Sequence, residues 1–271
     1  MKRVILISVA FVFINFLTYA QESDTTRITL GKTKVLVISE ENNDSKSKDT
    51  VGCETWKYRI GGFKLGVNGF LNSSNSLSVP AGYDFLETDV SKSYMVKFTL
   101  PELKVNLLKE HIYFHLASEI EFNSYEFRKN YWFVESSDIT TEISAYQAFR
   151  PDSSIFDFDK NRLKTTYINV PLMFSFHTNK NHEKAFHLAF GGYAGIKVGS
   201  KMKYKYKDQG EGTKLKIKDD YYLNPFQYGL NASIGYGKVN LFGSYSLNGL
   251  FESGKGPKLY PFTAGIMLVG F

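Results

Sequence analysis

The residues best suited to chemistry are few, with five histidines in 271 residues. His115 and Glu119 stand four apart, so an extended chain sets them on one face, and Ser118 lies between them in sequence. A serine, a histidine and a carboxylate that converge can form a nucleophile, its base and an orienting group, which together hydrolyse esters. Strand parity opposes that arrangement here, because Ser118 points to the face away from His115 and Glu119. The expectation is therefore that the chain is not an enzyme. His115 reads as a hydrogen-bonded interior residue, and His187 shares its parity on another segment. Cys53 is the lone cysteine. No spacing of His, Cys or carboxylates describes a metal site, and no glycine-rich loop precedes a helix to cradle phosphate, so no metal or cofactor is expected.

Charge supplies two further constellations. Lys64, Lys97, Glu119, Glu121 and Lys197, with Lys104, occupy the polar positions of alternating segments. If those positions face an interior, the charges must neutralise one another, which predicts a salt-bridged plug rather than an ion path. The second group is Lys201, Lys203, Lys205 and Lys207, interleaved with Met202, Tyr204 and Tyr206 and followed by Lys214, Lys216 and Lys218. At strand spacing the two lysine sets share faces and pair as the arms of a hairpin tipped by Gly210-Glu211-Gly212. Such a basic ladder either stays solvated and deters edge pairing, or attracts phosphates or an acidic partner.

The elements that position these groups are strands. Composition points that way, with 18 Tyr, 23 Phe and 22 Gly. At 43% hydrophobic the chain is too apolar for disorder, and one cysteine excludes a disulfide framework. Residues 1–20 have the layout of a secretory signal peptide: Lys2-Arg3, an apolar run from Val4 to Leu17, then Thr18-Tyr19-Ala20 before Gln21. Cleavage after Ala20 would reduce the 33 basic residues to 31 against 27 acidic ones, a net charge of +4. That mild excess suits an anionic membrane surface and carries no concentrated nucleic-acid motif. Residues 21–57 read as a polar extension holding one short strand at Lys34–Ile38, and residues 58–271 as the domain.

Within that domain, period-two stripes recur. Ile112, Phe114, Leu116, Ile120 and Phe122 oppose Tyr113, His115, Ala117, Glu119 and Glu121. Ile168 to Phe176 repeats the pattern. So does the stretch from Phe186 onward, where His187, Gly191, Tyr193, Lys197 and Lys201 share the polar face. Phe226 to Tyr236 forms a fourth stripe. Weaker strands at 61–71, 94–108 with a break at Pro101, 239–250 and 259–271 raise the count to eight. Short connections after the second, fourth and sixth strands alternate with long ones after the others. That sorting is expected of an outer-membrane barrel, with short periplasmic turns and long outer loops. Phe271 ends the chain in the manner of a barrel-assembly signal. Tyr131, Trp132, Tyr221, Tyr222 and Tyr260 are candidates for an upper aromatic girdle, and the aromatic loop between Arg128 and Arg162 is expected to pack over the barrel mouth.

Three stretches also resemble the small outer-membrane β-barrel proteins of Bacteroidetes-type bacteria, labelled outer-membrane β-barrel domain or PorT-like. They are Gly66-Val67-Asn68-Gly69-Phe70-Leu71, Tyr167-Ile168-Asn169-Val170-Pro171-Leu172, and Leu223-Asn224-Pro225-Phe226-Gln227-Tyr228-Gly229-Leu230. The resemblance implies a fold and a location and no catalytic residue. The expectation is thus an all-β chain: an eight-stranded antiparallel transmembrane β-barrel with long extracellular loops and a short N-terminal periplasmic extension, in the outer membrane of a Gram-negative cell envelope. Its partners would be outer-membrane lipid and lipopolysaccharide, the barrel-assembly machinery through Phe271, and a surface or periplasmic protein. The role would be structural or interactive, without an open pore, with a lipid-modifying enzyme or a narrow channel as alternatives.

Overall fold

Alternation of apolar and polar residues forces each stripe to turn one face outward and the other inward, and eight such strands close on themselves. The computed structural model describes residues 26–30, 33–37, 57–59, 62–100, 102–108, 111–134, 143–147, 158–179, 185–208 and 211–268. The expected signal peptide, Cys53 and Phe271 lie outside the described residues. The chain divides into two units, Met1–Gly52 and Cys53–Phe271. In the first, β1 (Thr26–Leu30) and β2 (Thr33–Val37) pair as an antiparallel hairpin.

The second unit holds β3 (Lys57–Arg59), β4 (Phe63–Asn72), β5 (Tyr94–Thr99), β6 (Glu102–Leu108), β7 (Ile112–Leu116), β8 (Glu119–Glu126), β9 (Tyr131–Phe133) and β10 (Ala145–Gln147). It continues with β11 (Phe158–His177), β12 (Phe186–Asp208), β13 (Glu211–Ile217), β14 (Phe226–Tyr236), β15 (Val239–Ser246) and β16 (Leu259–Leu268). The ring runs β4-β5-β8-β11-β12-β14-β15-β16 and returns to β4, with every neighbour antiparallel. Closure leaves these strands no free edge, so each ladder hydrogen bond is satisfied within the chain. At one end β3, β6 and β7 continue the wall beside β11. The strand ends that flank the short connections (109–111, 178–185, 237–238) gather at that end, and those that flank the long ones (73–93, 127–157, 209–225, 247–258) at the other.

The outward positions form an apolar belt. Phe190 and Phe226 are 62% and 63% exposed, and Leu172, Phe174, Leu188, Leu230, Ile234, Leu241 and Ile266 are exposed with them. At roughly 1.5–3 kcal/mol for each such side chain left in water, a belt running around the wall is stable in hydrocarbon and not in aqueous solution.

Two features depart from the sequence reading. β11 and β12 slip register between Thr166/Gly199 and Tyr167/Lys197, leaving Val198 as an extra residue. A one-residue bulge inverts the parity of everything beyond it. Lys201, expected on the face of His187 and Lys197, therefore points outward, while Met202 and Tyr204 turn inward and are fully buried. The second departure is at the long-loop end. Tyr131, Trp132 and Tyr221 belong to no outer girdle but to a capping core with Phe85, Phe127, Phe133, Phe158 and Tyr204. Trp132 meets Phe158 edge-on at 4.9 Å, and the Tyr204 hydroxyl accepts the Phe133 N–H at 2.9 Å. Tyr222 packs partly against the same core. Tyr260 remains on the wall beside Tyr245, 6.2 Å between centroids. The cap wins these rings because the barrel mouth offers them burial on every side, where a girdle offers only one.

Candidate functional site

Three polar constellations occupy distinct levels of the barrel. In mid-lumen, β4, β5 and β8 lie side by side, and their inward positions bring Lys64, Lys97, Glu119 and Glu121 together. Lys64 Nζ meets Glu119 Oε1 at 2.6 Å, and Lys97 Nζ meets Glu119 Oε2 at 3.3 Å and Glu121 Oε2 at 2.8 Å. Lys97 and Glu119 are 2% and 1% exposed. Amides complete the shell: Asn123 and Asn169 each donate to Glu121 at 2.7 Å, Gln227 donates to the Asn169 carbonyl oxygen at 2.6 Å, and Asn68 donates to that of Asn123 at 3.0 Å. Thr99 donates to Glu119 at 3.1 Å. Two cations against two carboxylates, with Glu121 further hydrogen-bonded by Asn123 and Asn169, is the arrangement in which buried charge is tolerated. Gly195 makes room for it, since a Cβ there would stand 1.9 Å from Asn169 Oδ1.

Lys197 is not a member of this network. It sits nearer the long loops, where it pairs with Asp220 at 2.6 Å and donates to the Leu223 carbonyl at 2.5 Å. Lys104 is inward and buried, its ammonium 3.8 Å above the Tyr113 ring.

A second level lies toward the short turns, where a polar belt crosses the inner wall. His115 is paired with Glu102 through Nδ1, and its Nε2 lies 2.5 Å from Ser175 Oγ. Ser175 Oγ is 3.0 Å from His177 Nε2, and the His177 and His187 rings stack at 5.3 Å. His187 in turn reaches Asn240 across Gly235. Ser118, the serine nearest His115 in sequence, falls between β7 and β8 and accepts the Leu100 N–H through its backbone. The partners of His115 are thus Glu102 and Ser175, which sequence spacing did not suggest. A cavity of about 180 Å³ opens beside them, bounded by Lys64, Lys97 and Phe242 on one side and by Gly237 and Lys238 of the β14–β15 turn on another.

The third level is the wall beyond the apolar belt at the long-loop end. Past the bulge, lysines of β12 face outward between two basic neighbours. One rung is Lys160, Lys205 and Lys214, the next Arg162, Lys203 and Lys216, and the next Lys164 with Lys201. Asp159 pairs with Lys205 at 3.0 Å and Glu126 with Arg162. Partial burial first, then the charges of Lys164, Lys216, Lys160 and Lys214, hold the Lys203 ammonium below its ordinary pKa. Glu211 and Gly212, expected at the hairpin tip, are paired with Asp208 and Lys207, and Gly210 lies outside the described residues. Lys218 follows the end of β13. The β11 cations lie where the sequence predicts a loop as far as Arg162, and Lys160, Arg162 and Lys164 at period two are the signal of the strand that forms there.

Residues 42–253 match the family model described as outer membrane protein beta-barrel domain. The chain belongs to that family. An outer-membrane barrel turns its short connections toward the periplasm, which assigns the His115 belt to the periplasmic half of the lumen and the basic rungs to the outer surface. No curated protein matches this outer-membrane barrel. Among the described residues, no group of three or more His, Cys, Asp or Glu is arranged to hold a metal ion.

Proposed function

We propose that this barrel is a plugged, surface-interacting protein of the Gram-negative cell envelope, exported by its leader and folded by the assembly machinery acting on Phe271. Its ligand is the phosphate of lipopolysaccharide in the outer leaflet. The observation that carries this reading is the three-strand basic sheet directly above the apolar belt. Like charges set opposite one another destabilise a ladder, and an anion bridging Lys203, Lys216 and Arg162 relieves that repulsion while its acyl chains lie along the belt below. Tyr94 supports the reading, since Arg162 and Lys164 both approach its ring, at 5.7 and 6.0 Å, which makes an aromatic and basic pair at headgroup depth. Residues 21–57 form a periplasmic extension, and the three family-like motifs relate the chain to the PorT-like group. Lys207 and Lys218 extend the basic surface to either end of the hairpin.

The test is binding of lipopolysaccharide to the detergent-folded barrel. Reversal of Lys214, Lys216 and Lys218 to Glu is expected to abolish binding, and raised salt is expected to weaken it in the unmodified protein. Equal binding by the reversed variant refutes the ligand. The lumen network supports the absence of an open pore, and steady conductance in a planar bilayer would refute that part independently.

A further inference from the structure

The periplasmic belt has the parts of a hydrolytic site, and the surface role does not use them. Its geometry follows from register. Lys104 of β6 pairs directly with His115 of β7, so Glu102 sits one diagonal step away on the same inner face. His115 pairs directly with Met173 of β11, so Ser175 is one diagonal step away on the other side. Diagonal neighbours in a sheet lie within reach of long side chains, and the three groups meet in order across three adjacent strands. Phe174 and Phe176 face lipid on either side of Ser175, which fixes its hydroxyl inward.

The hydrogen bonds then assign the protons. Glu102 is a carboxylate and accepts from His115 Nδ1–H, so Nε2 carries the lone pair and the Ser175 hydroxyl donates to it at 2.5 Å. The Ser175 oxygen accepts from His177 Nε2–H at 3.0 Å. This is the resting state of a serine nucleophile with its general base, and a cavity of about 180 Å³ adjoins it.

We propose that Ser175, His115 and Glu102 form an esterase site that hydrolyses small carboxylic esters. Ser175 Oγ attacks the ester carbonyl carbon, and its proton passes to His115 Nε2. The C–O bond to the alcohol breaks, and the leaving alkoxide takes that proton. Water then loses a proton to His115, adds to the acyl-serine carbonyl, and releases the acid as the proton returns to Ser175. Ser175 and His115 are the catalytic residues. Glu102 is a positioning residue that fixes the His115 tautomer. The Lys104 ammonium, which lines the same cavity, supplies positive charge for the oxyanion.

The cavity sets the substrate class. Its volume is close to the roughly 150 Å³ of a protein cavity that accepts benzene, so it takes a short acyl or aryl group and excludes a lipid acyl chain.

The test treats the full barrel, folded in detergent, with a fluorophosphonate, which transfers its phosphonyl group to an activated serine with loss of fluoride. Peptide mass mapping of the unmodified protein is expected to find the adduct on Ser175. S175A abolishes it, and H115Q slows labelling by roughly 100-fold or more, the contribution of a general base. E102Q slows labelling and E102D restores it, a rescue that a merely structural carboxylate would not give. Hydrolysis of 4-nitrophenyl butyrate is expected to exceed that of 4-nitrophenyl palmitate. A barrel that is folded by its heat-dependent gel migration yet carries no adduct on Ser175 overturns the proposal, and so does labelling indifferent to H115Q. Because mapping uses the unmodified chain, a variant that fails to fold leaves the result intact, and neither outcome depends on lipopolysaccharide binding.

Discussion

Exchanging Glu119 and Glu121 for glutamine removes both carboxylates from the lumen network while preserving side-chain volume. Lys64 and Lys97 then lose the ion pairs at 2.6, 3.3 and 2.8 Å. Lys97 is 2% exposed and cannot turn to solvent, so its charge stays buried beside neutral amides. Breaking a buried pair by removing one partner costs about 3–5 kcal/mol. The single variant Glu119→Gln falls at the lower end of that range, because Lys97 keeps Glu121. The double variant reaches the upper end or exceeds it. The assay is the temperature at which the detergent-folded barrel loses its heat-dependent gel migration, backed by urea unfolding in lipid vesicles. A compensated variant, with Lys64 and Lys97 also changed to Met, is expected to recover most of the loss, since apolar replacement of a whole buried ion network is often neutral. Unchanged midpoints in the double variant would refute the view that these charges hold the lumen together.

Gly195→Ala is expected to cost about 1–3 kcal/mol by overpacking, because the new methyl meets Asn169 Oδ1 at 1.9 Å and the Ile168 carbonyl at 2.8 Å; a wild-type unfolding midpoint would argue against the close approach. Tyr204→Phe deletes the acceptor of the Phe133 N–H and is expected to cost on the order of 1 kcal/mol, read as faster proteolysis of the long loops. Burial raises the Tyr204 pKa above its ordinary value of about 10. Its stabilising contribution is therefore complete below that pH and is lost as pH rises toward the folded value, so alkaline loosening of the cap should be smaller in Tyr204→Phe. Ultraviolet titration of the phenolate tests the same point.

What could be read from the chain alone was whatever period two controls. Phe174-Ser175-Phe176 states which side of β11 is oily, and the same logic turned Lys64, Lys97, Lys104, Glu119, Glu121 and Lys197 inward, because successive side chains of a strand point to opposite faces. The eight strands and the sorting of short from long connections followed from where those stripes stop. Which inward residues meet is a matter of stagger between strands, and local pattern does not encode it. Glu102 and His115 are thirteen residues apart and Ser175 is sixty beyond His115, yet closure brings them into one line, while Ser118, adjacent in sequence, is left out. Closure likewise separates Lys197 from the network it resembled. The bulge at Val198 shows the other limit: one unpaired residue reversed every later side chain on β12, moving Lys201 outward and Tyr204 inward. Sequence fixes the face of a residue as far as the strand stays regular, and only the closed sheet decides its neighbours, because register is set by all eight strands at once.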